Sequence, residues 1–211
     1  MLYSGWDRDG QFFYLMEISY GGIPGRPIGD GMDGHSWWPL FQNIPTEYLE
    51  AYYPVRIDGY TTITDSGGAG FHRGGNGIEK RYVYLEPGEV SIHDDRWLTY
   101  PWGILGGKPG RRSEKILVRA DGTEERLPSK CDEIRVEPGD MLIYRTAGGG
   151  GWKDPLERPI DKVVADVRKG LVSPEKAEFD YGVVIDPKTL QADEAATAAL
   201  RERLREERGE V

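Results

Sequence analysis

Three histidines carry most of the acid, base or metal chemistry that this sequence could perform. They are His35, His72 and His93; Asp33 lies two residues before the first, and Asp94 follows the last. Imidazoles and carboxylates are common metal ligands. None of the three shows the two-histidine spacing on one helix face that would make a metal site local. We therefore expect no metal to be held by this chain alone, and the histidines remain candidates for proton transfer, for loop hydrogen bonds or for an interface.

A glycine-containing loop surrounds the first histidine, in residues 30–38, DGMDGHSWW. Glycine permits sharp turns, and the loop carries two polar side chains, Asp33 and His35, beside the large apolar side chain of Trp37. Two interpretations remain open. The loop lines a shared active site, or it is a surface turn anchored by its tryptophans. On the first interpretation Asp33 and His35 are catalytic candidates and Trp37 is a substrate-binding candidate.

The most glycine-rich stretch is residues 65–77, DSGGAGFHRGGNG, in which six glycines surround three residues with functional side chains. Such a block is a bulged turn or a place where backbone N–H groups approach a ligand. It lacks the GKS or GKT ending of a phosphate-binding loop, so we do not expect nucleotide binding there. His72 is the third catalytic candidate, and Asp65 and Arg73 are substrate-binding candidates.

Composition excludes several classes of partner. The 211 residues carry 27 basic and 36 acidic side chains, a net charge of -9, which disfavours nucleic acid. No stretch approaches the roughly 18 apolar residues of a membrane-spanning helix, so we expect no membrane association and a cytoplasmic location. The single cysteine, Cys131, cannot form an internal disulfide. No GxSxG motif is present, which disfavours a self-contained serine hydrolase.

The elements that must position these residues are mostly short strands. Residues 55–64 alternate apolar and polar side chains, and further strands are predicted at 78–86, 89–93, 115–120, 123–127, 132–137 and 140–146. Pro-Gly pairs at 87–88 and 138–139 predict hairpin-like reversals, and Asp-Gly at 121–122 predicts a tight hairpin. The pattern indicates an α+β fold: an antiparallel β-sandwich or curled sheet followed by helices.

After residue 152 the pattern becomes helical. Apolar residues between 160 and 167 recur at three- and four-residue spacing before Gly170, and Ser173 with Pro174 reads as a helix start. A short strand is predicted at 181–186, and a final helix after residue 193 has a narrow apolar stripe for docking on this chain or on another subunit. We therefore divide the chain into a β-rich core, 1–152, and a helical extension packed on it, 153–211.

The opening residues add one further expectation. Aromatic side chains cluster there, at Phe12, Phe13, Tyr14 and Tyr20. They predict a strand edge or apolar patch that meets upstream sequence or a partner.

Read in order, several segments together resemble the carboxyl-terminal part of the hydantoinase B/oxoprolinase family, which includes the large subunits of acetone and acetophenone carboxylases. The matching segments are GDGMDGHSWWP, NIPTEYLEAYYPVRIDGY, DSGGAGFHRGGNGIEKRY, PWGILGG, LPSK, VEPGDML, TAGGGGWKDPLERP and VRKGLVSPEKAEFDYGVVID. Members are typically several hundred residues long, with their metal-binding, catalytic His and Asp positions largely in the amino-terminal portion. The resemblance therefore implies either one subunit of a split enzyme or a truncated reading frame.

The resemblance also implies a function and partners. In that family an actin-like, hydantoinase A-type subunit uses ATP to activate a carbonyl oxygen, and the second type of subunit completes hydrolysis or carboxylation. We expect a subunit that acts on small cyclic amides by C–N bond hydrolysis, inactive alone. We expect ATP and a divalent metal to bind to the partner subunits. An upstream hydantoinase B-type segment is expected as a further partner. A ketone carboxylase subunit and a non-catalytic assembly module are the alternatives.

Overall fold

The computed structural model describes residues 1–36 and 42–208, which form nine strands and four α-helices. The strands are β1 Leu2–Trp6, β2 Phe12–Met16, β3 Val55–Thr62, β4 Ile78–Tyr84, β5 Gly88–His93, β6 Glu114–Val118, β7 Glu124–Arg126, β8 Lys130–Val136 and β9 Met141–Arg145. The helices are α1 Thr46–Tyr52, α2 Ile160–Arg168, α3 Pro174–Tyr181 and α4 Glu194–Glu207. A 3-10 turn, Pro155–Glu157, precedes α2.

Two antiparallel sheets face each other. One has the order β2-β1-β5-β8 and the other β3-β4-β9-β6-β7. Alternate side chains of both sheets point inward, including Tyr3, Leu15 and Ile92 from the first and Tyr82 and Leu142 from the second, and they form one buried cluster. This arrangement confirms the predicted α+β class with an antiparallel sandwich.

The Pro-Gly turns behave differently from the prediction. Residues 87–88 lead from β4 into β5, and residues 138–139 lead from β8 into β9, yet each pair of strands belongs to different sheets. The prediction of hairpins there is wrong: both pairs are corners between sheets. Gly139 does have a positive φ of 94°, so the local turn is as expected. The Asp-Gly hairpin is confirmed, because β6 pairs with β7 and Gly122 has a φ of 88°.

A glycine-rich layer adjoins the sandwich, made of residues 21–36, 65–77, 101–111 and 146–153. Its segments bond to one another through their backbones; Gly22 N donates to Ala147 O at 2.8 Å and Gly68 N to Gly149 O at 2.8 Å. The segments lie so close that a Cβ on Gly22 or on Gly148 would overlap a carbonyl oxygen of the adjacent segment. Glycine is required there because only hydrogen fits between the backbones.

The carboxyl-terminal helices pack on this layer. Val163, Val167, Ala177 and Tyr181 form a second buried cluster that also contains Ala69 of the glycine block. The predicted start of α3 is confirmed, since the Ser173 side chain accepts a hydrogen bond from Lys176 N. The predicted strand at 181–186 is wrong: Tyr181 ends α3, and the segment contributes an isolated bridge from Ile185 to Ala192.

The final helix, α4, docks within the chain. Thr197 is fully buried, and its hydroxyl accepts a hydrogen bond from Val184 N at 3.0 Å. Arg201 donates to the carbonyl oxygens of Tyr181 at 3.0 Å and of Arg158 at 2.7 Å. Leu204, on the apolar stripe, lies against Gly182, so the stripe covers part of the same molecule.

Candidate functional site

The two glycine-rich motifs meet through an ion pair. Asp33, from the first loop, accepts two hydrogen bonds from the Arg73 guanidinium, at 2.8 and 3.1 Å, and a third from Asn76 N at 2.7 Å. The Arg73 side chain is 7% exposed. Bidentate carboxylate-guanidinium pairs fix geometry as well as charge, so the loop is held against the block at one defined position.

A second pair lies beside the first. Arg158 donates to both carboxylate oxygens of Asp30, at 2.7 and 2.8 Å, and to Asp166 of α2 at 2.7 Å. Asp166 also faces Arg73, with a distance of 3.4 Å from its Oδ1 to Nε. The five side chains thus form a continuous row of alternating charge: Asp33, Arg73, Asp166, Arg158 and Asp30. We call this set of five side chains the ion relay.

Burial and neighbouring charges shift the pKa values of the relay residues in opposite directions. Burial raises the pKa of Asp30, but the hydrogen bonds and positive charge of Arg158 outweigh it and hold that pKa below its ordinary value. Burial lowers the pKa of Arg73, but Asp33 and Asp166 hold it above its usual range. Three carboxylates and two guanidinium groups sum to a charge of -1. An imidazole adjoins this set of charges.

His72 is that imidazole. Its Nδ1 lies 3.4 Å from Asp30 Oδ1, and its side chain is 12% exposed. Its ring stacks on the Trp152 ring at a centroid distance of 5.5 Å, and the two backbones exchange hydrogen bonds of 2.9 and 3.1 Å. Nδ1 is buried and makes no hydrogen bond within the described residues. The ring is therefore fixed in position between the carboxylate of Asp30 and the indole of Trp152.

Two of the predicted site residues lie away from the relay. His35 is exposed, and its backbone N donates to Gly21 O at 3.0 Å. Asp65 has a positive φ of 63°, and its carboxylate accepts a hydrogen bond from Ser173 N at 2.7 Å. Asp65 thus links the glycine block to the start of α3. Trp37 lies outside the described residues.

The relay does not fit a divalent metal. The carboxylates of Asp30, Asp33 and Asp166 are occupied by guanidinium groups. Within residues 1–36 and 42–208, no group of three or more His, Cys, Asp or Glu side chains is arranged to hold an ion.

A cavity of about 490 Å³ lies between the sandwich and the glycine-rich layer. Its lining includes Glu17, Asp94, Asp95 and one of the three histidines, His93, but none of the catalytic or substrate-binding candidates from the two glycine-rich motifs. His93 is exposed, and its Nε2 lies 3.1 Å from Asp132 Oδ1. Two of its carboxylates are already paired: Glu17 with the buried Lys80 at 2.6 Å, and Asp94 with the buried Lys115. The cavity is polar, yet these wall charges are balanced within the fold.

The sequence also identifies the molecule. Residues 1–155 match the family model described as hydantoinase B/oxoprolinase. The chain belongs to the hydantoinase B/oxoprolinase family. The beta subunit of caprolactamase from Pseudomonas jessenii is 40% identical over 202 residues, covering 89% of this chain and 34% of that subunit.

Two solved structures resemble this hydantoinase B-type chain. The ATP-dependent caprolactamase of Pseudomonas jessenii matches with a TM-score of 0.77 at 32% identity, covering 95% of this chain and 37% of that chain. A nucleotide-free acetone carboxylase matches with a TM-score of 0.84, covering 98% of this chain and 32% of that one; at 22% identity this similarity establishes the fold alone. The chain thus spans about a third of the length of these relatives.

Sequence reasoning missed two of the five residues in the ion relay of this hydantoinase B-type chain. Arg158 and Asp166 were not candidates, because they stand 128 and 93 residues from the partners they reach, Asp30 and Arg73. No local spacing connects such residues.

Among the described helices, none is long and apolar enough to cross a membrane.

Proposed function

We propose that this chain supplies the sandwich and glycine-rich part of a subunit in an ATP-dependent enzyme that hydrolyses the C–N bond of cyclic amides. The observation that carries the proposal is the 40% identity to a caprolactamase beta subunit across 89% of the chain. A lactam is a cyclic amide, and the solved caprolactamase is described as ATP-dependent. Residues 1–155 also match the hydantoinase B/oxoprolinase family model.

His72 is the group we assign to proton transfer. Hydrolysis of an amide needs a proton at the leaving nitrogen, and a positioned imidazole is the commonest donor. Asp30 and Trp152 fix this ring by charge and by stacking. Asp30 in turn is fixed by Arg158, which makes the relay a device that orients one imidazole.

The other candidate residues have narrower proposed roles. His35 is exposed on the same loop as Asp33, where it can meet a substrate or a second subunit. Asp33 and Arg73 satisfy each other in their bidentate pair, so we assign them to positioning the loop that carries His35. Trp37 stays a proposed substrate-binding residue. Asp65 acts at a greater distance, by holding the start of α3.

We propose that the chain acts together with further polypeptide. It spans about a third of the length of its relatives. We propose that an upstream hydantoinase B-type segment and an actin-like ATPase subunit complete the enzyme, that ATP and a divalent metal bind there, and that the assembly is cytoplasmic.

The experiment is reconstitution. This chain is mixed with a polypeptide supplying the missing two thirds, with the ATPase subunit and with ATP, and phosphate and product are measured with and without the chain. Caprolactam, hydantoin and 5-oxoproline test amide hydrolysis, and acetone with bicarbonate tests the carboxylase alternative. Amide hydrolysis that requires the chain and His72 supports the proposal.

Two results would contradict it. Equal product without the chain leaves a non-catalytic assembly role. Product from acetone and bicarbonate alone assigns the chain to the ketone carboxylases instead.

A further inference from the structure

The outer face of the first sheet is apolar at one end. Trp6, Phe12, Tyr14 and Met16 are each exposed by 53 to 65%. They lie on one side of the β1–β2 hairpin, where Trp6 is opposite Phe12 and their rings are 5.2 Å apart. A groove of about 370 Å³ continues this face past Trp6 towards Glu89 and Arg135. An apolar face of this kind marks an interaction surface.

Among residues 1–36 and 42–208, no strand pairs with the outer edge of β2. β2 is the last strand of its sheet. Asp7 N donates to Gln11 O and Glu17 N to Met1 O, which fixes the alternation of hydrogen-bonded pairs along β1 and β2. Residues 13 and 15 therefore direct their N–H and C=O groups to β1. Phe12, Tyr14 and Met16 direct theirs away from the sheet.

The other three sheet edges are protected in the ways that proteins use against unwanted pairing. β7 has three residues, all charged and exposed. β8 carries four charged residues and a positive φ of 58° at Glu133. β3 contains a bulge after Ile57 and an exposed ion pair between Arg56 and Asp58. β2, by contrast, reads FFYLM, without charge or proline, and its pairing with β1 has no register shift.

We infer that β2 accepts an added β-strand from the part of the hydantoinase B-type polypeptide that this chain does not contain. The inference rests on the proposed function in one respect, that the chain works together with that part. Strand addition obtains affinity from main-chain hydrogen bonds and specificity from alternate side chains, and β2 offers both. The relatives carry about twice as much further polypeptide as the matched third, which provides the strand.

A second copy of this chain fits the edge less well. Each copy carries a net charge of -9, and this charge opposes association of two copies.

Extended peptides can test the edge without requiring a partner to fold. Synthetic 15-residue peptides are titrated into the full isotope-labelled chain, and binding is followed by NMR. The peptides cover the unmatched two thirds of the Pseudomonas jessenii caprolactamase beta subunit. At least one peptide should shift the amide signals of Phe12, Tyr14 and Met16 and slow their hydrogen exchange. Tyr14→Pro, which removes an outward N–H without breaking the β1 pairing, should weaken that binding at least tenfold.

Two further variants separate docking from folding. Tyr14→Glu keeps the backbone donor but charges the face, and should also weaken binding. Tyr52→Glu, at a tyrosine of α1 that is 68% exposed, is the matched control and should leave binding unchanged. Circular dichroism confirms that each variant is folded.

Three outcomes would overturn the inference: no peptide binds, a bound peptide leaves the β2 amides unaffected, or light scattering shows a dimer of this chain that Tyr14→Pro abolishes. The proposed function is judged separately by turnover. Peptide binding at β2 with no turnover after reconstitution would refute the function alone. Turnover with Tyr14→Pro at the affinity and rate of the unmodified chain would refute the inference alone.

Discussion

Replacing Arg158 by Met should destabilise the protein by about 3 kcal/mol, because it leaves two carboxylates without their main partner. Removing one partner of a buried ion pair costs about 3–5 kcal/mol. The Asp166 side chain is 9% exposed and should carry most of this cost, whereas Asp30, at 32%, is partly solvated, so we take the lower end of the range. Met keeps most of the apolar stem of Arg, which limits the loss of packing.

The assay is equilibrium unfolding in urea together with thermal unfolding. For a chain of this size, about 2–4 °C are lost per kcal/mol, so the midpoint should fall by roughly 6–12 °C. Arg203→Met is the matched control: its side chain is 67% exposed and its Nε lies 3.9 Å from Glu207 Oε1. Such an exposed pair contributes at most about 1 kcal/mol.

The pH dependence gives a second readout. The pKa of Asp30 is lowered in the folded state, so its contribution to stability is present above the unfolded pKa and is lost as pH falls through the folded pKa. That window lies below roughly pH 4. In Arg158→Met this part of the acid dependence should disappear. A loss below about 1 kcal/mol at pH 7, equal to that of the control, would refute the interpretation of the relay as a buried, coupled network.

Three further predictions concern the site and its supports. His72→Ala in the reconstituted enzyme should lower turnover at least tenfold, about 1.4 kcal/mol of transition-state stabilisation, with assembly unchanged by gel filtration; full activity would remove His72 from the chemistry. Gly148→Ala should cost about 1–3 kcal/mol in urea unfolding, because its Cβ would overlap Ser66 O, whereas Gly29→Ala, which has open space, should not. Ser173→Ala should cost about 0.5–2 kcal/mol through loss of the cap on α3, and an unchanged midpoint would show the cap to be dispensable.

Local patterns predicted the strands well and their partners poorly. The alternation over residues 55–64 and 78–86 located β3 Val55–Thr62 and β4 Ile78–Tyr84 within a few residues, because a half-buried strand needs that period. The Pro-Gly pair at 87–88 indicated a reversal, but turn chemistry does not identify the next strand's neighbours. β5 pairs with β1 and β8, which lie far away in sequence.

The same limit applies to the candidate site. Asp33 and Arg73 were found because both lie in glycine-rich motifs, whose composition is itself unusual, and the structure joins them. Arg158 lies in the segment TAGGGGWKDPLERP, which carries the family resemblance, but nothing in that segment identifies its partner, and its pairing with Asp30 is a consequence of tertiary packing.

The relay ties the carboxyl-terminal helices to the position of His72. The match to the family model covers residues 1–155, and the groups that hold Asp30 and Arg73 from the other side, Arg158 and Asp166, lie just after it. Asp166 belongs to α2, and α4 in turn bonds to Arg158 O through Arg201. A change in how these helices pack would therefore move Asp30, and with it the electrostatic environment of the imidazole. The helices therefore help to fix the geometry of the glycine-rich block as well as packing on it.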